Sequence, residues 1–385
     1  MGSSVHVDIR AVAALSCFGS DRASHVAALK EGRTGIARTT GGEFAGVLAA
    51  VIPGDDVTPQ RPFTLTDRIA LALIDAAGLT LDEREHLGVF VGTTTGVAAS
   101  EEIAYFQQGA LAVNKAWTML CGGPGRITAH LAGQLNAQGP LFTYTTACTS
   151  TAVGLMMATH AIRQGTIQRA VVFGLDTLMR ISVEGFRLLK LYSPQVCRPF
   201  DRDRDGLQLG EAAAGIVLEG RTGERRSRFE VLDGAVVHDP GHIAAGSADG
   251  ATAARVMNQA LARANLKTSD VTAIKAHGTG TKVNDMGELL GLQRVFGATP
   301  PPFASLKGIF GHTLGASTAL EVTAWLWALE AGFLPASAGF TNPGEQGLVP
   351  LRTSQPTHGR PGVHLFNSFG FGGTSASFLV QDHGA

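Results

Sequence analysis

Short apolar runs recur along the chain at 88–91, 170–175, 213–218, 271–276, 363–366 and 376–380. Runs of this length without strict alternation are the pattern of strands buried on both faces. Between them lie proline-free stretches of helical length, at 67–77, 149–163, 251–264 and 314–331. The resulting βα alternation predicts a layered α/β fold. The last stretch contains Trp325, Leu326 and Trp327 and is apolar nearly all round, so it is expected to be buried between layers. The polar stretch at 221–228 is the one candidate boundary, and a strand-like run at 229–237 follows it. The chain therefore reads as two halves, 1–228 and 229–385, the second repeating the architecture of the first.

With 385 residues, 44% hydrophobic and 16% charged, the chain has enough apolar side chains for a large core. Its 31 basic and 32 acidic residues leave a net charge of −1, which argues against a general nucleic-acid binder. Cys17, Cys121, Cys148 and Cys197 show no CxxC pairing and no histidine at metal-ligand spacing. Neither zinc nor a disulfide framework is expected, and a reducing cytoplasm fits best. The start MGSSVHVDIRAVAALS has too short an apolar run for a signal peptide, and no stretch reaches the roughly 18 apolar residues of a membrane span. His6 stands where a myristoylation signal needs serine or threonine, so no lipid anchor is expected.

The chemistry gathers around one cysteine and two histidines. Cys148 stands in TYTTACTST, and the helical stretch after it puts the sulfur in a first turn, where free N–H groups and the dipole favour a thiolate. The alternative is a small buried hydrophobe, the usual state of a free cysteine. His277 opens HGTGT directly after the run at 271–276, so it either projects from a strand end into a cleft or caps a turn. His312, in GHTLGAS, follows Lys307 by five residues; Glu321 meets Lys307 only if the chain folds back, and otherwise both are solvated. The 49 glycines concentrate near the histidines and in NSFGFGGT at 367–374, where backbone can approach a ligand closely. The amides of Cys148 and Phe371 are then candidate donors to a thioester carbonyl. Two neutral imidazoles beside one thioester can donate hydrogen bonds to the enolate oxygen formed when a β-carboxylate leaves as carbon dioxide, which is carbon–carbon condensation chemistry.

Five segments occur in an order that resembles the elongating β-ketoacyl-acyl carrier protein synthases over nearly the whole chain. They are TTACTST, RPFDRDRDGLQLGEAAA, AHGTGTKVND, SLKGIFGHTLGAS and NSFGFGGTSAS. The resemblance implies an α/β, thiolase-type fold, two similar halves in a five-layered αβαβα arrangement, working as a homodimer or as a heterodimer with a chain-length-factor-like homologue. It implies that Cys148 takes the acyl chain, that His277 and His312 promote decarboxylation of the malonyl carrier, and that Lys307 and Glu321 organise the site. It further implies that the amides of Cys148 and Phe371 form the oxyanion hole, that Thr279 and Thr281 contact the phosphopantetheine arm of the carrier protein, and that Phe371 gates the acyl pocket. No cofactor bound to the enzyme itself is implied.

Single residues separate the relatives. A thiolase needs a second cysteine in a late glycine-rich loop, but none follows Cys197; an initiating synthase carries asparagine at the position of His312; a chain-length factor has lost Cys148. The compact loop LYSPQVCR at 191–198 resembles ketosynthases of aryl polyene and related type II polyketide pathways, with housekeeping fatty-acid elongation as the alternative pathway and a scaffold or partner subunit as the non-enzyme alternative. Phe186, Met156 and Met157 are candidates to line or border the acyl pocket, with core packing the plainer expectation for the methionines. Carrier proteins in such systems are acidic, which makes Arg61, Arg68, Lys115 and Arg126 candidate contacts, each alternatively an ordinary solvated residue.

Overall fold

The computed structural model describes residues 5–41, 44–54, 58–102, 123–224, 227–241, 247–344 and 347–384. Ten strands build the central sheet: β1 His6–Leu15, β2 Leu87–Gly92, β3 Leu141–Tyr144, β4 Arg169–Asp176, β5 Ala212–Arg221, β6 Phe229–His238, β7 Val271–Lys275, β8 Phe303–Ala304, β9 Gly362–Phe369 and β10 Thr374–Asp382. Their order is β8-β7-β9-β10-β6-β1-β5-β4-β2-β3. The set β3-β2-β4-β5-β1 and the set β8-β7-β9-β10-β6 repeat one plan, in which two parallel pairings are followed by two antiparallel ones. Among the described residues only Asp8↔Glu230 and Ile9↔Phe229 pair the two sets, so the sheet is two five-stranded units joined at one corner.

Among the described residues, eight helices of nine residues or more accompany the sheet: α1 Arg22–Glu31, α2 Arg61–Ala77, α3 Gly125–Leu135, α4 Ser150–Arg163, α5 Arg180–Leu188, α6 Ala251–Arg263, α7 Lys282–Phe296 and α8 Ser317–Glu330. The alternation within each strand sorts them into layers. Val171, Phe173 and Leu175 of β4 pack outward with Leu65, Ile69 and Leu73 of α2 and Leu131 of α3. Ala170 and Val172 point the other way, into a core shared with Leu155 of α4, Trp325 of α8 and Phe366 and Phe378 of β9 and β10. Ile274, Leu365 and Leu379 face outward again, against Val256 and Met257 of α6 and Leu292 of α7. The result is α, β, α, β, α in five layers, as the resemblance implied. As its apolar composition predicted, α8 is buried from Ser317 through Leu329.

The sequence pattern located the strands at 88–91, 170–175, 213–218, 271–276, 363–366 and 376–380 to within three residues of their observed ends. The helix expected from position 67 begins at Arg61, with Pro62 in its first turn, where the missing N–H is not needed. The helices expected from 149 and 314 each begin instead with a 3-10 turn, Ala147–Thr149 and Leu314–Ala316. The first residue of each turn is left-handed, Ala147 at φ 52° and Leu314 at φ 49°. This costs about 1–2 kcal/mol each for residues with a Cβ. The two halves thus present matching strained turns at the start of their central helices.

Candidate active site

The two strained turns meet: Thr151, the second residue of α4, donates its hydroxyl to the Gly315 carbonyl, and Gly174 of β4 leaves no room for a Cβ against Ala316. This places Cys148, in the turn before α4, opposite His312, which stands just before the turn leading into α8. The His312 Nε2 lies 3.0 Å from the Cys148 Sγ. The amides of Cys148 and Phe371 also reach the sulfur, and Ser368 donates to the Cys148 carbonyl at 3.0 Å. His277 follows β7, and its ring centroid is 5.5 Å from that of His312, the two rings lying edge to face.

The hydrogen bonds assign both imidazole tautomers. The Leu314 N–H donates to Nδ1 of His312 at 3.2 Å, so the proton sits on Nε2, facing Cys148. The Lys307 ammonium donates to Nδ1 of His277 at 3.3 Å, which likewise leaves the proton on Nε2. Burial, with the Lys307 charge nearby, holds both histidines well below the ordinary imidazole range, so both are neutral donors at physiological pH.

Lys307 is fully buried; its Nζ donates to the His277 carbonyl at 2.9 Å and to Oε1 of Glu321 at 2.8 Å. Burial opposes the Glu321 charge, but Lys275 and Lys307 outweigh it and hold this carboxyl below its usual range. Two further carboxylates satisfy the turn that carries His277, because buried N–H groups need acceptors. Glu288 accepts from the amides of His277 and Gly278, and Asp285 accepts from those of Thr279 and Gly280. In the other half Asp176 accepts from the amides of Thr94, Thr95 and Ala316, joining the two turns.

Cys148, Phe186, Leu207, His277, Thr279, Thr281, Asn284, His312 and the segment Phe369, Gly370, Phe371 line one cavity. Its volume is ≈ 20 Å³ to a water-sized sphere, room for about one water molecule. Phe186 on α5 packs against Phe371, ring centroids 5.5 Å apart, and closes it. The Oγ1 atoms of Thr279 and Thr281 lie 2.8 Å apart in its wall.

The model described as "Beta-ketoacyl synthase, N-terminal domain" matches residues 59–223, and "Beta-ketoacyl synthase, C-terminal domain" matches 228–341. This chain belongs to the β-ketoacyl synthase family. It is 30% identical to Nodulation protein E of Rhizobium meliloti, over 96% of this chain and 97% of that one. It is 29% identical to the tetracenomycin polyketide synthase ketoacyl synthase alpha subunit of Streptomyces glaucescens, over 85% and 84%. Among solved structures it resembles the ketosynthase ApeO of Xenorhabdus doucetiae, in complex with its chain length factor ApeC, with a TM-score of 0.82, 28% identity and 98% of both chains covered. The protein is a β-ketoacyl synthase, an acyltransferase that condenses acyl units, related to the ketosynthases of type II polyketide synthesis.

The synthase brings Cys148, His277, His312, Lys307, Glu321, Thr279, Thr281, Phe186 and Phe371 into one buried site, but it corrects several readings. Cys148 is not a thiolate in this closed form. The α-helix starts two residues later, at Ser150, and burial pushes the thiol up to about 11 despite Lys307 and the two amides. Lys307 and Glu321 are a buried pair, not a solvated one. Arg61 is no surface residue: its guanidinium grips both oxygens of the buried Glu211 at 2.5 and 2.7 Å, an arrangement that cannot meet a carrier protein. Arg68 and Arg126 are partly exposed on α2 and α3, Arg126 lying over the Phe63 ring, and Lys115 lies outside the described residues. Met156 packs against the central core, whereas Met157 is 46% exposed and is not part of the cavity wall around Cys148.

Sequence reasoning missed Lys275, Asp176, Asp285 and Glu288. Lys275 had a signal: strand alternation places it on the same side as His277, two residues on. Asp285 and Glu288 are three apart on α7, hence on one face of the helix, directly after the glycine turn they support. Asp176 ends a strand 28 positions beyond Cys148, and nothing local marks its role. Among the described residues no group of histidine, cysteine and carboxylate side chains is arranged to hold a metal, and no helix is long and apolar enough to cross a membrane.

Proposed function

We propose that Cys148 is the acyl acceptor and that His277 and His312 drive condensation by decarboxylation; the observation that carries this is the 3.0 Å contact between His312 Nε2 and Cys148 Sγ, with a second neutral imidazole beside it. In the first step the Cys148 sulfur attacks the acyl-carrier thioester, the carbon–sulfur bond to the phosphopantetheine arm breaks, and the thiol proton ends on the departing arm. Malonyl carrier then loses carbon dioxide, and the electron pair of the broken carbon–carbon bond moves into an enolate whose oxygen accepts from the two Nε2–H groups. The enolate carbon attacks the acyl-Cys148 carbonyl. The amides of Cys148 and Phe371 hold the tetrahedral oxyanion, which collapses and expels the Cys148 thiolate; a proton from solvent restores the thiol.

Thr279 and Thr281 then contact the phosphopantetheine arm, and Phe371 with Phe186 forms the gate, since the closed cavity has no room for an acyl chain. The substrates arrive on acyl carrier protein, and the enzyme needs no cofactor of its own. Arg68, Lys115 and Arg126 are its candidate contacts. A partner subunit lies against β3: that strand ends the sheet, and its Leu141 and Phe142 are 45% and 48% exposed. The likeness to a ketosynthase paired with a chain length factor favours a heterodimer of that kind over a homodimer. The compact loop at 191–198 and the type II polyketide relative favour a specialised polyene or polyketide pathway over housekeeping fatty-acid elongation. The repeated strand plan supports residues 1–228 and 229–385 as the two halves.

The test is intact mass after exposure to acyl carrier proteins bearing saturated, unsaturated and aryl primers, with and without a coexpressed chain-length-factor homologue. An adduct on the wild type and none on Cys148→Ala is expected. An adduct that persists on Cys148→Ala overturns the nucleophile, and equal loading of every primer overturns the specialised pathway.

A further inference from the structure

Two ion pairs elsewhere in the protein, Arg61 with Glu211 and Arg228 with Asp382, set one cation against one carboxylate. The active site departs from this. Glu321 on α8 receives Lys275 Nζ on Oε2 at 2.5 Å and Lys307 Nζ on Oε1 at 2.8 Å, so two buried ammonium groups share one carboxylate. Lys275 also donates to the Asn367 carbonyl on β9 at 2.8 Å, which ties β7, α8 and β9 at one point. The other carboxylate of this region, Glu288 on α7, is taken by the amides of His277 and Gly278 and by the Asn367 side chain. It bonds neither lysine. Both lysines sit close enough to His277 and His312 to oppose a charge on either ring, and Glu288 offsets Lys275 only through space, so the two ammonium groups have one hydrogen-bonded carboxylate between them.

We propose that Lys275 is a positioning residue of the condensing site: by occupying one oxygen of Glu321 it leaves Lys307 incompletely compensated against the His277 ring, and so keeps both imidazoles in the neutral Nε2–H form that donates to an enolate. It acts through Glu321 and Lys307 and touches no reacting atom. The same excess of positive charge favours the enolate and the Cys148 thiolate when they form. Lys307 alone with Glu321 would be an electrically neutral pair, and the histidines would gain protons more readily at acid pH.

This rests on the reading of His277 and His312 as enolate donors, and the test separates the two. Carbon dioxide release from malonyl carrier protein is measured with the full chain, together with its partner subunit, between about pH 5 and about pH 8.5. Lys275→Gln, which keeps hydrogen-bond donors but loses the charge, is expected to lose its acid limb about one unit higher, so that the ratio of rates at about pH 8 and about pH 5 grows about threefold over wild type. Lys275→Arg is expected to restore the wild-type profile. A Lys275→Gln profile that superimposes on wild type, or that falls by one factor at every pH, overturns the proposal. Histidine ring NMR of the wild type tests it without any variant: both rings are expected to stay neutral well below the ordinary imidazole range, and protonation of either near about pH 6.5 refutes it. Full decarboxylation by His277→Ala defeats the underlying reading, whatever Lys275 does.

Discussion

Replacing Glu321 by glutamine removes the one anion that two buried lysines share. The amide oxygen still accepts a hydrogen bond, but Lys275 and Lys307, 2% and 0% exposed, lose their counter-charge. Breaking a buried pair by removing one partner costs about 3–5 kcal/mol, and the upper end is expected because two cations are left. The loss depends on pH. Burial already lowers Lys275 from its ordinary 10.5, with Glu321 working in the other direction, so in Glu321→Gln it falls further. Between that depressed value and the unfolded value the unfolded chain binds the additional proton, and stability therefore rises with pH across this window. Urea unfolding followed by fluorescence is the assay, since Trp325 and Trp327 lie on α8 beside the changed residue. At about pH 7 the variant is expected to be destabilised by about 3–5 kcal/mol relative to wild type, with part of the loss recovered by about pH 9.5. A loss below about 1 kcal/mol, the range of exposed ion pairs, or an equal loss at both pH values refutes the buried-network argument.

Four further outcomes are expected. His312→Ala, which removes one of two enolate donors, lowers malonyl-carrier decarboxylation about 10²–10³-fold while the acyl adduct on Cys148 still forms, as intact mass shows. Because burial raises the Cys148 thiol to about 11, its alkylation by iodoacetamide keeps accelerating through about pH 9 and shows no plateau below about pH 10; a plateau at or below the ordinary thiol value contradicts the closed site. Arg61→Ala breaks the buried pair with Glu211 and costs about 3–5 kcal/mol of stability with no change in KM for the carrier; a raised KM in a fully stable variant restores Arg61 as a docking residue. Gly92→Ala drives a Cβ into the Thr151 amide at the start of α4, so the variant is expected to lose soluble expression or melt well below wild type in a thermal scan.

Much of the site was legible because its residues lie in short contiguous motifs whose local geometry is set by the chain itself. A histidine at the end of an apolar run followed by Gly-Thr-Gly-Thr can hardly avoid a strand end and a turn, and His277 is found there. A doubly buried strand shows as an unbroken apolar run wherever it lies, which is why β4, β7 and β9 could be read. By contrast β1 escaped notice: its middle, Arg10 to Val12, is only partly buried, and half-buried stretches of mixed polarity look like loops. Glu211 and Arg61 stand 150 residues apart, so nothing near Arg61 signalled that it would be swallowed.

The sequence alone determined the layered α/β class, through its apolar runs, and its ordered motifs, by their resemblance to elongating synthases, marked the condensing chemistry and the cysteine, histidines, lysine and glutamate as candidates. Only the tertiary structure decided their charge states. Cys148 is a thiol and not a thiolate, both imidazoles are neutral with the proton on Nε2, and Lys275 joins Lys307 on Glu321, because protonation is governed by burial and by partners from β7, α8 and β9. Those partners approach only when two separately coded halves pack around their central helices. Desolvation and Coulomb energy depend on distances through space, which the order of residues along the chain does not express.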